Sequence, residues 1–448
     1  MVRLLLLLLG TEWIRRYRYV LAVTGLAWLG LAIMLFLDCL DGVVYFPLLW
    51  FGWLILIEGL AMLSIARSGR MRRRNLQQTR AAIVIVLGLL VVFQHDFADI
   101  ILAIIFGTAF AVDGALRIAS AVVVRFAGYK KVLFNGISEI VIAIIIFLPW
   151  PFYYTGTVEF CIALALSFSG WSLLRLYLRL RALPPGESLH FLYSRGWPAF
   201  KDLPKPDHRG PPPAEKLLVR VWTARGTADH PVSRPIVDRY IGAEDEKGTI
   251  STGHSALEVK PDVYISHYPA VDIDHSPDDF IRLLRATHDN DVEGSFQPSY
   301  AFESKEWCEC TETVEFERYD PVRLRAYWQR YRQDNMYNLT SRNCSSTVIH
   351  ALETALEGVL AKRRYGLAYF VRVFLSPELM VAAHLRKRAD TMTWTPGLVL
   401  DYSLALFGAL NPPHISWVRF VRYLKAMFWR MRGTMATSRQ QVPRATGS

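Results

Sequence analysis

Long apolar runs limit what this chain can fold into more than any other feature, and they gather before Arg181. They cover roughly Tyr19–Leu37, Val43–Ala66, Ala81–Gln94, Ile100–Val124, Ile137–Tyr153 and Thr157–Leu178. Crossing a hydrocarbon core of ~30 Å takes ~20 helical residues, and a helix satisfies its own backbone hydrogen bonds there. Most of the runs reach that length, and the short third one must borrow from its flanks. The pattern predicts a multi-domain chain: a six-helix α transmembrane bundle followed by a separate soluble part.

The loops between the runs set an orientation. Arg15, Arg16 and Arg18 precede the first run. Arg67, Arg70, Arg72, Arg73, Arg74 and Arg80 fill the second loop, Arg125, Lys130 and Lys131 the fourth, and Arg175, Arg179 and Arg181 close the sixth run. The alternate loops hold no Lys or Arg, so the positive-inside rule puts both termini in the cytoplasm. The same rule accounts for a formal charge of +11, because the basic clusters flank apolar spans instead of forming one folded stripe. Nucleic acid is therefore not an expected partner; the lipid bilayer is. Met1–Gly10 imitates a signal peptide, but no small-residue cleavage site separates it from Trp13-Ile14-Arg15-Arg16. It reads as an uncleaved amphipathic lead-in.

An internal repeat runs through the first part. Glu58-Gly59, Asp113-Gly114 and Ser169-Gly170 recur about 55 residues apart, each late in an even-numbered span and each followed by Arg67, Arg117 or Arg175. Three helical hairpins explain the spacing, with the glycines allowing close helix approach. Glu58 and Asp113 are intramembrane carboxylates, read either as an ion path or as polar contacts between repeats. The scarcity of other intramembrane polar residues favours the second. This layout over residues 10–181 resembles the HdeD family of bacterial acid-resistance membrane proteins. That resemblance implies an inner-membrane location and a role in stress tolerance.

Residues 182–215 have a linker composition, with Pro184, Pro185, Pro204, Pro206 and Pro211-Pro212-Pro213, and a semi-extended course is expected in which Leu189–Trp197 could dock. From Lys216 the grammar changes. Leu217–Thr223, Ser255–Val259, Val263–His267 and Thr313–Tyr319 alternate like strands, while Asp278–His288, Pro321–Gln333 and Cys344–Leu360 read as helices. Residues 216–365 are thus predicted to form a small cytoplasmic α+β domain.

Its chemistry centres on Asn343-Cys344. Asn343 suits an N-cap, which puts Cys344 in the first turn of a helix, where exposed N–H groups favour a thiolate. His254 opens one predicted strand and His267 ends the next. The expected roles are Cys344 as nucleophile, His254 as general base and His267 as its orienting partner, with the Cys344 N–H in an oxyanion hole and Tyr337 lining the cleft. The order His, His, then Asn-Cys at a helix start resembles the circularly permuted papain-like hydrolases, the lecithin-retinol acyltransferase group and related NlpC-type enzymes. The residues after Cys344 depart from the acyltransferase motif, so lipid acyl chemistry is not implied specifically. A lipid, lipopeptide or membrane-protein substrate is expected from location alone. Five scattered cysteines make no disulfide framework, and the lone C-x-C of Cys308 and Cys310 lacks a second ligand pair, so neither metal nor cofactor is expected.

Residues 366–432 contain two amphipathic stretches, Pro377–Arg388 and Ile415–Arg432, and an apolar one, Leu398–Leu410, too short to span. They are expected to lie on the membrane surface, the alternatives being a seventh span or, for Ile415–Arg432, a helix packed on the catalytic domain with its basic side in water, and 433–448 is expected to be disordered. The leading expectation is a stress-associated inner-membrane protein with a cytoplasmic thiol hydrolase or acyltransferase domain. The rivals are a non-enzymatic protein whose soluble domain binds a partner, and a small transporter using Glu58 and Asp113.

Overall fold

The computed structural model describes residues 1–41, 49–68, 74–93, 96–148, 156–182, 189, 200, 203–208, 210–223, 243–244, 250–251, 253–271, 273, 282–361, 373–374, 376–389 and 391–411. Six helices come first: α1 (Val2–Asp41), α2 (Leu49–Ser68), α3 (Arg74–Val92), α4 (Asp96–Val124), α5 (Tyr129–Phe147) and α6 (Thr157–Arg181). Three stretches within them, Trp13–Leu40, Ile100–Val124 and Glu159–Arg181, are long and apolar enough to cross a membrane. Trp53, Ile57, Phe134 and Trp171 are exposed on the outside of these helices, an apolar exterior that suits lipid and not water.

The pairing of helices differs from the expected hairpins. The main partners are α2 with α3, α4 with α5, and α1 with α6, the first helix against the last. Each pair closes on a repeat glycine. A Cβ on Gly59 would fall 2.7 Å from the Ile85 side chain, one on Gly114 2.8 Å from the Gly136 carbonyl, and one on Gly170 2.7 Å from the Gly25 carbonyl. Beside Gly114, Arg117 pairs with Asp113 at 2.6 Å and reaches Glu139 of α5 at 2.9 Å. Asp113 is thus part of a polar clamp between two helices, whereas Glu58 is exposed on α2.

The second part is an α+β domain. Strands β1 (Leu217–Trp222), β4 (His254–Val259), β5 (Val263–Ile265) and β8 (Glu312–Phe316) form an antiparallel sheet in the order β5-β4-β1-β8. Alternation turns Leu217, Val219 and Val221 of β1, with Leu257 and Ile265, into the core that α8 (Pro321–Tyr331) and α9 (Cys344–Leu356) also line. The opposite face carries Arg220, Trp222, Ala256 and Tyr264 and packs on α7 (Tyr300–Glu306). β2 (Ala243–Glu244) pairs with β3 (Ile250–Ser251), and β6 (His267–Pro269), β7 (Val292–Phe296) and β9 (Met336–Tyr337) form a third sheet. The single strand predicted at Val263–His267 therefore breaks at Ser266, and His267 belongs to a different sheet from His254. Of the helix predicted at Asp278–His288, residues 278–281 lie outside the described residues, Arg282 and Leu283 are helical, and a turn at Leu284 leads to a 3-10 helix at His288–Asn290.

Two expectations, for the lead-in and the tail, are corrected by where the core lies, and the docking left open for the linker is seen at Leu189. The lead-in is not amphipathic but buried: Leu4 through Leu9 sit in the soluble domain's core. There the Gly358 N–H donates to the Leu7 carbonyl (3.0 Å) and the Leu360 N–H to that of Leu8 (2.8 Å). The chain leaves this contact at Gly10, where φ is 77° and a Cβ would meet Gly358 Cα at 2.8 Å, so glycine is required twice over. The linker is packed where it is described: Leu189 and Leu203 are buried, the Leu189 N–H donates to Glu357 (3.1 Å), and the Asp207 N–H to Asp320 (2.9 Å). The tail helices α10 (Pro377–Ala389) and α11 (Pro396–Leu410) belong to the domain instead of a membrane surface. Arg386 of α10 is held at 2.6 Å by Glu353 of α9, and α11 packs its Val399, Tyr402 and Leu406 into the core. Ile415–Arg432 and the 433–448 tail lie outside the described residues.

Candidate functional site

Asn343 caps α9 as its side chain predicted. Its Oδ1 accepts from the Ser346 N–H at 2.8 Å while the Ser346 hydroxyl accepts from the Asn343 N–H at 2.9 Å, a reciprocal capping box. Its amide also donates to the Leu339 and Trp394 carbonyls, at 2.8 and 2.9 Å, which fixes the loop on both sides. Cys344 follows in the first turn, buried at 8% exposure. The expected thiolate is not favoured at rest. Burial pushes the Cys344 thiol up, against hydrogen bonds with Ser345 and Ser255 that pull the other way. Desolvation outweighs the helix terminus here because the sulfur faces β4 and not water. The Cys344 N–H, expected in an oxyanion hole, lies against the Tyr337 hydroxyl.

His254 is fully built into its surroundings. Its ring stacks on Tyr268 with centroids 4.0 Å apart and tilts against Trp222 at 5.4 Å. Nε2 lies 2.8 Å from the Ser266 hydroxyl and 3.2 Å from Glu303 Oε1. The Ser266 hydroxyl itself donates to Glu303 Oε2 (3.1 Å), so its oxygen accepts and His254 Nε2 carries the proton. That leaves Nδ1 with the lone pair. Burial, reinforced by the neighbouring His267, pushes His254 down to about 3, so the ring is a neutral base. Glu303, in the first turn of α7 behind the Ser299 cap, also accepts from the hydroxyls of Tyr264 and Tyr268, the latter at 2.5 Å. Four donors converge on one buried carboxylate.

His267 does not take the role expected of it. The Asn335 carbonyl can only accept, so His267 Nε2–H donates to it (3.2 Å), and Nδ1 accepts from the Tyr331 hydroxyl (3.0 Å). Both nitrogens are used, and neither touches His254. Burial pushes His267 down to about 4. The ring is wedged under Gly294, where a Cβ would lie 2.4 Å from Nε2 and 2.3 Å from the Asn335 carbonyl. What orients His254 is the Ser266–Glu303 pair.

The structure therefore brings Cys344 and His254 into one cluster and assigns His267 to its wall. Ser255, next to His254, places its hydroxyl 3.2 Å from that of Ser345, which joins the start of β4 to the start of α9. Tyr268 stacks on His254 and is raised by burial, then by Glu303 and by Cys344. Among the described residues no hydrogen bond joins Cys344 to either imidazole. Ser266, Glu303, Tyr264 and Tyr268 were not foreseen. The hydroxyls at 264, 266 and 268 recur at every second residue, a signal legible in the sequence, whereas Glu303 carries none. Among the described residues no cluster of His, Cys, Asp and Glu suits a metal ion. Comparison with protein-family models, with curated proteins and with solved structures finds no match, so the case for this site rests on its own geometry.

Proposed function

We propose that this chain is a multi-pass protein of the bacterial inner membrane, with six spans and cytoplasmic termini, whose soluble domain is a thiol hydrolase or acyltransferase serving stress tolerance. The observation that carries the enzymatic reading is the fixed tautomer of His254. Nε2–H is held by Ser266 and Glu303, which leaves a neutral Nδ1 lone pair in a cluster that shares Tyr268 with a helix-start cysteine. In the reaction, the Cys344 thiol proton passes to His254 Nδ1 as sulfur bonds to an acyl or amide carbonyl carbon. The C–O or C–N bond then breaks, the leaving group takes that proton, and water or another acceptor resolves the thioester. Glu303 stabilises the imidazolium formed in between.

Burial of the resting thiol favours a second reading, in which the domain binds a partner without chemistry. A carbonyl-directed thiol probe on the full-length protein separates the two. The first reading expects labelling at Cys344 that is lost in Cys344→Ala and falls at least tenfold in His254→Ala and in Glu303→Gln. Equal labelling of the His254 and Glu303 variants would leave only the binding role.

A further inference from the structure

A cavity of about 450 Å³ lies on the other side of the loop that feeds Cys344. Arg282, Arg285 and Thr287 line its polar part, with Asp289 in the same wall, and Leu283, Val292 and Leu339 make an apolar part. The pocket's backbone is held open from below: the Asn290 amide donates to the carbonyls of Arg282 (2.7 Å) and Arg285 (2.9 Å). Asn338 and Thr340 tie the same loop to the strand of chain leading into α9, through Thr287 O (3.2 Å) and Leu284 O (3.0 Å). Arg285 is half-buried, and its guanidinium makes no ion pair or side-chain hydrogen bond among the described residues.

Position identifies the occupant. The Ala286 N–H donates to the carbonyl of Val124 at 2.7 Å, and Ala286 packs on Ala121, Val124, Phe126 and Val132. Val124 is the last residue of a membrane-capable span, so the cavity opens where a bilayer surface falls. Arg125, Lys130 and Lys131 follow that span in the chain. We infer that the cavity binds the phosphodiester headgroup of an anionic membrane lipid, with Arg285 on the phosphate and the glycerol end against Leu283, Val292 and Leu339. Arg285 offers one cation with no ion pair among the described residues, which matches the single negative charge of a phosphodiester better than the higher charge of free phosphate. The inference depends on the membrane placement but not on thiol chemistry, so a silent Cys344 would leave it standing.

The test uses full-length protein in detergent titrated with short-chain phosphatidylglycerol, with phosphatidylcholine and inorganic phosphate as separate arms. Phosphatidylglycerol is expected to bind most tightly. Arg285→Gln should weaken it roughly tenfold, as loss of a charge-assisted contact predicts. Leu283→Trp, which fills the cavity without changing charge, should do the same, whereas Lys130→Gln at the start of α5 should change affinity less than about twofold. Unchanged lipid binding in both pocket variants, or equal loss in Lys130→Gln, would reduce the site to non-specific surface charge. Displacement of the lipid by inorganic phosphate at similar concentration would overturn the lipid assignment.

Discussion

His254 and His267 are both buried and neutral, held down to about 3 and about 4 from an ordinary 6.5, chiefly by desolvation. Between pH 6.5 and about 4 the unfolded chain therefore takes up protons that the folded domain refuses. Their contribution to stability is complete above pH 6.5 and is lost as pH falls through that window, by roughly 1.4 kcal/mol per pH unit for each histidine that titrates. The melting temperature of the full-length protein should fall between pH 7 and pH 5, and His254→Gln should flatten the slope. A wild-type melting temperature constant over that range would contradict the burial of the two rings. Glu303 belongs to the same account. Its buried carboxyl accepts from Tyr264, Ser266 and Tyr268, and those hydroxyls satisfy a polar group that burial would otherwise leave costly.

Among the elements, the contact of α4 with α5, like that of α1 with α6, brings backbone against backbone at a pair of glycines. Each glycine faces the other's carbonyl, with a Cβ on Gly136 falling 2.9 Å from the Gly114 oxygen. Backbone offers no side chain to swing aside, so Gly114→Val must push the helices apart and stretch the bridge from Asp113 through Arg117 to Glu139. A loss of about 1–3 kcal/mol is expected, seen as a lower midpoint in thermal unfolding in detergent. Gly30→Ala is the control, since a Cβ there meets nothing within 4 Å. Equal effects at the two positions would show that propensity and not packing sets the cost. α9 shows the complementary case, an element fixed by its polar start. Its capping box and the Asn343 amide hold Cys344 in place, and Thr393, which donates to Thr340 O (2.8 Å), braces that start from the segment before α11.

At the scale of the molecule, residues on both sides of the helical bundle build one core. Leu7 and Leu8 accept from Gly358 and Leu360, so the α+β core cannot close until the bundle between them has been made. The same contact ties the domain to α1, while Ser120 of α4, donating to the Thr391 carbonyl, ties it to a second helix. Leu8 is fully buried, and Leu8→Ala should cost about 2–5 kcal/mol. Leu26→Ala, at a position 60% exposed on the bundle's outside, should leave unfolding of the soluble domain unchanged. Limited proteolysis across residues 203–361 would report the difference, and equal resistance of both variants would mean the leucine run is a passive neighbour.

Apolar run length, the change of grammar near Lys216, the repeat glycines and the Asn343 cap are all set locally, by hydropathy over a window or by a side chain reaching three residues along. The sequence by itself therefore determined the α bundle, the α+β domain and the helix start at Cys344. Which helices pair, where the leucine run goes and which group orients His254 depend on residues far apart in the chain, such as Gly25 with Gly170, Leu8 with Leu360 and Ser266 with Glu303. Spacing along the chain does not encode those meetings, because burial rewards whichever apolar or hydrogen-bonding surfaces fit. His267 shows the limit most clearly: a single break at Ser266 moved it to another sheet, and only the tertiary structure decided that.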